Sequence, residues 1–93
     1  MQLECVFFGP FREAVGQKTV QYETASETVG DLLSELEADY PVLEGDLLAE
    51  DGAELAGDTV VTVDTRHVTQ LEGLETPLEA GTVVRLVPSV YGG

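Results

Sequence analysis

The chain ends in the segment PSVYGG, and its last two residues, Gly92 and Gly93, have no side chains. Because glycine lacks a Cβ atom, such a pair can enter a channel that is too narrow for other residues. The α-carboxylate of Gly93 would then be open to attack an α-phosphate or, once activated, to be attacked as an acyl group. Gly93 is therefore the candidate reactive residue, and Gly92 gives access to it.

We call residues 88–93 the tail and expect it to project from the folded domain. Pro88 restricts the backbone at the root of the tail, whereas the two glycines keep its tip flexible. Ser89, Val90 and Tyr91 join root and tip and would position the tip, and the bulk of Tyr91 would restrict which enzymes accept it. The competing interpretation is an end without function, since two terminal glycines arise by chance in about half a percent of sequences.

An unactivated carboxylate is a poor acyl donor, so a reaction of the tail requires ATP-dependent adenylation first. The sequence contains neither the Walker A pattern nor the GxGxxG pattern with which many proteins bind nucleotide phosphates. We therefore expect a carrier that is not itself an enzyme and binds no cofactor. A partner enzyme would use ATP and Mg to activate it.

Three other reactive side chains, those of Cys5, Lys18 and His67, occur once each. Cys5 alternates with Leu3 and Phe7, so we interpret it as a small core residue and not as a thioester site. His67 has no neighbouring His or Cys, and we expect neither a metal site nor a general base there. Lys18 is the possible acceptor if the protein forms lysine-linked chains, and an ordinary surface lysine is the alternative.

A docking surface for a partner is predicted near the N-terminus. If Phe7 points into the core, Phe8 points the other way, and Phe11 falls in a segment interpreted as a loop. Together with Val6, these two residues would form an apolar patch for the activating enzyme or for a synthase subunit. A tightly packed loop is the alternative.

The N-terminal segments predict a β-hairpin with an elaborated turn. Residues of QLECVFF and KTVQYE alternate between two faces, which is typical of strands. The intervening segment GPFREAVG contains Gly9, Pro10 and Gly16, and we predict a loop there.

The segment TVGDLLSELEADYP predicts the main helix. Thr28 would cap its N-terminus, with Asp31 three residues later as in a capping box, and Pro41 would end it or open a short second turn. One apolar stripe follows helical spacing and comprises Val29, Leu32, Leu33, Leu36 and Tyr40.

The C-terminal half predicts a strand in TVVTVD, a short partner strand in RHVTQ and a last strand in TVVRLV. The order β-β-α-β-β favours an α+β architecture, in which a mixed sheet packs on one main helix. We expect the last strand to lie inside the sheet and to anchor the root of the tail.

Length and charge limit the possible partners. The 93 residues suffice for a single domain, residues 1–93, and 18 carboxylates against four Lys and Arg give a net charge of −14. This charge disfavours direct binding to nucleic acid or to anionic membranes. MQLECVFF carries no basic leader, and no apolar run reaches the roughly 20 residues of a membrane span, so we expect a cytoplasmic protein. The acidity favours a halophilic origin, and a basic partner is a compatible alternative.

Three separated segments resemble the MoaD/ThiS group of ubiquitin-like sulfur carriers, and MoaD most of all. They are FFGPFREAVG, TVGDLLSELEADYP and PLEAGTVVRLVPSVYGG. The acidic, lysine-poor composition makes the chain similar to the archaeal small modifier proteins of this group. The chain departs from its relatives at Ser89, where a second proline is common, and at Asp64–His67, where an Asn-Gly hairpin is common.

The resemblance implies a β-grasp fold and a Gly93 carboxylate that an E1-like enzyme adenylates. It implies two fates: isopeptide bonds to lysines of target proteins, or a thiocarboxylate that donates sulfur for molybdopterin synthesis or tRNA thiolation. A MoaE-like large subunit of molybdopterin synthase is then a further possible partner. The alternative function is a non-covalent binding module in which the tail has no role.

Overall fold

The elements of the protein follow the order expected from the sequence, with one helix added near the N-terminus. The computed structural model describes residues 1–57 and 59–88. Within these residues the elements are β1 (Gln2–Phe7), α1 (Gly9–Val15), β2 (Thr19–Glu23), α2 (Val29–Asp39), β3 (Val60–Val63), β4 (Arg66–His67) and β5 (Val83–Val87). Short 3₁₀ turns are formed by Pro41–Leu43, Val68–Gln70 and Gly73–Glu75.

The described strands form one mixed sheet in the order β2-β1-β5-β3-β4. The last strand, β5, is central: it runs parallel to β1 and antiparallel to β3. Both of its edges are therefore hydrogen-bonded, and its C-terminal end is held from two sides. The prediction that the last strand lies inside the sheet is confirmed.

The predicted loop between β1 and β2 is wrong, because residues Gly9–Val15 form α1. Pro10 lies in the first turn, where its missing N–H costs no helical hydrogen bond. Gly16 ends the helix in the left-handed conformation (φ 87°), and its N–H donates to the Arg12 carbonyl at 2.8 Å. Phe11 is buried and holds α1 against the core. The residues that indicated a loop are thus the two ends of a short helix.

Helix α2 confirms the predicted main helix. The Thr28 hydroxyl accepts a hydrogen bond from the Asp31 N–H at 3.3 Å, and Tyr40 and Pro41 follow the last turn. The Tyr40 ring meets Phe7 of β1 edge to face, with the centroids 6.2 Å apart. Four residues of the predicted stripe are fully buried, namely Val29, Leu32, Leu33 and Leu36. This stripe packs with the inner face of the sheet to form the core.

The turn between β3 and β4 has an unusual backbone for its residue types. Asp64 and Thr65 both have positive φ, at 50° and 90°. Two hydrogen bonds of 2.9 Å tie the turn to β5: the Asp64 N–H donates to the Val83 carbonyl, and the Asp64 carboxylate accepts from the Val83 N–H. The turn therefore gains support from the central strand.

Candidate functional site

The root of the tail is the best-supported part of the candidate site. Val87 at the end of β5 pairs with Val60 of β3, and the Phe8 N–H donates to the Leu86 carbonyl at 3.1 Å. Pro88 follows directly and is buried. Ser89–Gly93, which carry the remaining predictions for the tail, lie outside the described residues. The structure thus places the residue that directly precedes the predicted reactive segment.

A groove of about 330 Å³ lies beside Pro88. One wall belongs to α1 and the other to the loop that follows α2. Its lining residues are Pro10, Phe11, Gly45, Asp46, Ala56, Gly57, Thr59 and Pro88. The lining therefore combines apolar side chains with polar groups in similar measure, and Asp46 is its charged residue.

The carboxylate of Glu37 holds the loop wall of this groove in place. Its Oε2 atom accepts hydrogen bonds from the backbone N–H groups of Gly45, Leu47 and Leu48, at 3.0, 3.1 and 3.0 Å. A carboxylate that accepts several N–H groups forms charge-assisted bonds, which are stronger than neutral ones. Sequence reasoning missed this role, because an acidic residue on a helix is typical of a solvated face.

A second depression, of about 470 Å³, is lined by Phe7, Phe8, Gly9, Arg12, Glu13 and Lys18. It brings together two of the four Lys and Arg side chains of a chain with net charge −14. The Lys18 carbonyl accepts a hydrogen bond from the Phe7 N–H at 2.7 Å, and Phe7 pairs with Leu86. Lys18 therefore lies at the same end of the sheet as the root of the tail.

The predicted docking patch of Val6, Phe8 and Phe11 is not an exposed surface. Phe11 is 5% exposed and belongs to the core, and Val6 is 7% exposed on the central part of the sheet. Val6 is covered because it lies between Thr19 of β2 and Arg85 of β5. For these two residues, the packing alternative is correct. Phe8 is half-buried and lines the second depression.

Two valines that sequence reasoning did not select lie beside the root of the tail. Val60 and Val87 pair across β3 and β5 and are half-buried, whereas their neighbours Val61 and Leu86 are fully buried. Because side chains alternate along a strand, this pair faces away from the core. The alternation in TVVTV and VVRLV was the available signal. Phe8 is also half-buried, and its N–H donates to the carbonyl of Leu86, the residue before Val87. We call Phe8, Val60 and Val87 the root patch.

The other two reactive side chains, those of Cys5 and His67, contact the rest of the fold. Cys5 is fully buried, and this burial, with a smaller effect from the Glu35 charge, raises the pKa of its thiol to about 12. The Nδ1 atom of His67 accepts a hydrogen bond from the Thr69 N–H at 3.2 Å. Among the described residues, no group of three or more His, Cys, Asp and Glu side chains could hold a metal ion. In residues 1–57 and 59–88, no helix is long and apolar enough to span a membrane.

Comparisons with known proteins agree with this architecture. The model of the ThiS family matches residues 5–93. Small archaeal modifier protein 3 of Haloferax volcanii is 44% identical over 94 residues, and the alignment covers 100% of both chains. A solution structure of a Haloferax volcanii protein gives a TM-score of 0.85 at 44% identity and covers 100% of this chain and 87% of that one. The crystal structure of the modifier SAMP1 from the same organism gives 0.81 at 30% identity, with 100% of both chains covered. The predicted β-grasp fold is confirmed by the sheet order and by these neighbours.

Proposed function

The chain belongs to the ThiS family, and we propose that it is a modifier and sulfur-carrier protein whose Gly93 carboxylate is adenylated by an E1-like partner enzyme. The carboxylate oxygen attacks the α-phosphate of ATP, so that an acyl-adenylate forms and pyrophosphate leaves. A nucleophile then attacks the acyl carbon and releases AMP. A target lysine yields an isopeptide bond, and a sulfur nucleophile leads to a thiocarboxylate.

The position of Pro88 is the observation that carries this proposal. The residue is buried at the end of the central strand, which is hydrogen-bonded on both edges, so the root cannot shift relative to the sheet without breaking backbone pairs. The five residues that follow contain a glycine pair at their end. A rigid base with a narrow tip suits entry into the active site of another protein.

The root patch is the proposed contact surface for the activating enzyme. Phe8, Val60 and Val87 keep part of their apolar surface exposed, and Val87 immediately precedes the tail root. An enzyme that covers this patch would find the reactive end within a few residues of the contact. The same surface would bind a large subunit of molybdopterin synthase if the protein serves there, and the two partners would then compete.

The modifier role draws support from the 44% identical relative, which is named a small archaeal modifier protein. Neither fate of the acyl group excludes the other, since both start from the same adenylate. A non-covalent binding module is the alternative function. Adding one residue after Gly93 separates the two hypotheses, because a binding module would tolerate the addition and a carrier would lose all its products.

The test of the proposed function is mass spectrometry of the protein isolated from its own cells, with its conjugates retained. We expect a C-terminal oxygen replaced by sulfur, or Gly-Gly remnants on target lysines, or both. Deletion of Gly92 and Gly93 should abolish every product and leave the fold intact. If only the free carboxylate is found while the activating enzyme is present, the protein is not a carrier.

A further inference from the structure

The outer face of the sheet, which points away from α2, carries a row of polar residues across three strands. Arg85 of β5 lies opposite Thr62 of β3, and Thr62 lies opposite His67 of β4. Neighbours in such a row have Cβ atoms about 5 Å apart, so the three residues lie within about 10 Å. We call them the polar row. It borders the root patch, because Arg85 and Thr62 are two positions away from Val87 and Val60 on the same strands and therefore share their face.

Arg85 is a half-buried cation that lacks a counter-charge. Within residues 1–57 and 59–88, its guanidinium has no ion pair and no hydrogen bond. Two carboxylates close to it in the register bond to other groups: Glu4 accepts from the Gln21 amide at 3.1 Å, and Asp64 accepts from the Val83 N–H at 2.9 Å. Carboxylates outnumber Lys and Arg by 18 to four, so acids for pairing are not scarce. A carboxylate from a partner would supply the missing counter-charge.

The other two residues of the polar row add hydrogen-bond donors. The Oγ1 atom of Thr62 is buried and finds no hydrogen-bond partner in the described part of the chain, which costs stability. The Nδ1 atom of His67 accepts from the Thr69 N–H at 3.2 Å, so the neutral ring carries its proton on Nε2. A guanidinium, a hydroxyl and an imidazole N–H all donate. A carboxylate, which only accepts, complements this set.

We propose that the polar row binds a carboxylate of the activating enzyme, an Asp or Glu side chain that enters the interface beside the root patch. The inference rests on the proposed function, which supplies this enzyme as the partner. The planar guanidinium of Arg85 can donate to both carboxylate oxygens through two parallel hydrogen bonds, a geometry that fixes the orientation of the partner. The root patch contributes apolar contact, and the polar row sets the register in which the enzyme accepts the protein.

A single carboxylate on an apolar surface suits this site better than an extended anion does. The net charge of −14 repels a polyphosphate or an anionic membrane, whereas one carboxylate interacts chiefly with the group that it touches. A free small anion would gain the polar contacts alone. A carboxylate that belongs to a protein also gains from covering Val60 and Val87, which continue the same face.

The test is ATP–pyrophosphate exchange by the activating enzyme purified from the same cells, at increasing concentrations of the full chain. Arg85→Met keeps the unbranched stem and removes the charge. Arg66→Met is the matched control, because Arg66 is exposed on β4, faces the other side of the sheet and loses the same charge. We expect Arg85→Met to raise the KM for the protein at least about 30-fold at a kcat within about twofold, and Arg66→Met to change both less than about threefold.

Three further measurements separate this contact from a general charge effect and from a structural role. A charge pair enclosed in an interface is screened little, so the effect of Arg85→Met should persist at high salt. Because Arg85 has no partner among the described residues, Arg85→Met should leave the Tm of the free protein unchanged or raise it. Arg85→Lys keeps the charge without the planar fork and should recover only part of the lost affinity.

Three results would overturn the inference. They are equal KM values for Arg85→Met and Arg66→Met, an effect of Arg85→Met that disappears at high salt, and a lower Tm of the free Arg85→Met protein. Failure of the proposed function gives a different result, since the unaltered chain would then support no exchange at all and the inference would fall with it. Exchange that proceeds equally well without the Arg85 charge refutes the inference alone.

Discussion

Glu37 allows the most direct test of how this fold shapes the surroundings of the tail root. Its carboxylate accepts three backbone N–H groups from the loop that forms one wall of the groove beside Pro88. In Glu37→Gln, the same position offers a neutral oxygen of similar size. The side-chain volume is kept, so the change affects chiefly the strength of these three bonds.

The expected loss of stability follows from the hydrogen bonds. A bond to a charged group contributes about 1.5–3 kcal/mol and a neutral one about 0.5–1.5 kcal/mol, so the upper limit for three bonds is about 3–4 kcal/mol. Glu37 is half-buried and the bond from Gly45 is exposed to solvent, which reduces this figure. We expect Glu37→Gln to lower the free energy of unfolding by about 1–2 kcal/mol. For a domain of this size, that corresponds to a decrease in Tm of about 5–15 °C.

The assay is thermal and urea unfolding at constant salt, with Glu44→Gln as the matched control. Glu44 is exposed in the same region, and its replacement removes the same charge from the acidic chain. Hydrogen exchange should also show faster exchange of the Gly45, Leu47 and Leu48 amides in Glu37→Gln only. Equal stability of the two variants, together with unchanged exchange, would refute the assignment of Glu37 as the anchor of the loop.

Further predictions concern the core, one turn and the single thiol. Phe11→Ala should lower the free energy of unfolding by about 3–5 kcal/mol in urea denaturation, since Phe11 is a core residue, and Phe8→Ala should cost clearly less. If the two costs are equal, the burial of Phe11 contributes little. Thr65→Gly should raise Tm, with a gain of about 0.5–1 kcal/mol, because a β-branched residue is strained at φ 90°; an unchanged or lower Tm would contradict this. A thiol reagent should modify Cys5 only as fast as the chain opens, so rapid labelling of the native protein would contradict its burial. The folded-state pKa of this thiol, about 12, lies above its ordinary value of 9.0, so the unfolded chain ionises first and stability should fall as pH rises past 9. One pH unit higher, the loss is about 1.4 kcal/mol, and Cys5→Ala should not have this part of the alkaline decrease in unfolding free energy.

Local patterns predicted most of the elements of this fold. The alternation in QLECVFF, the helical spacing of the leucines in α2 and the cap at Thr28 all depend on residues a few positions apart, and each is found as expected. The position of β5 followed from the order of the elements. The error at α1 has a local cause as well: Gly9, Pro10 and Gly16 are compatible both with a loop and with the two ends of a helix. The burial of Phe11 in the core, which the local sequence does not show, favours the helix.

The sequence by itself carries the prediction of a reactive end, because a glycine pair is recognised without any partner residue. The tertiary structure decided what surrounds the root of that end. Val60 and Val87 form one surface, Glu37 anchors a loop, and Lys18 lies at the same end of the sheet as Pro88. Each relation joins residues from separate parts of the chain. Such relations depend on strand register and on the packing of helices against the sheet. Register is set by which side chains the whole core buries, and no short stretch of sequence contains that information.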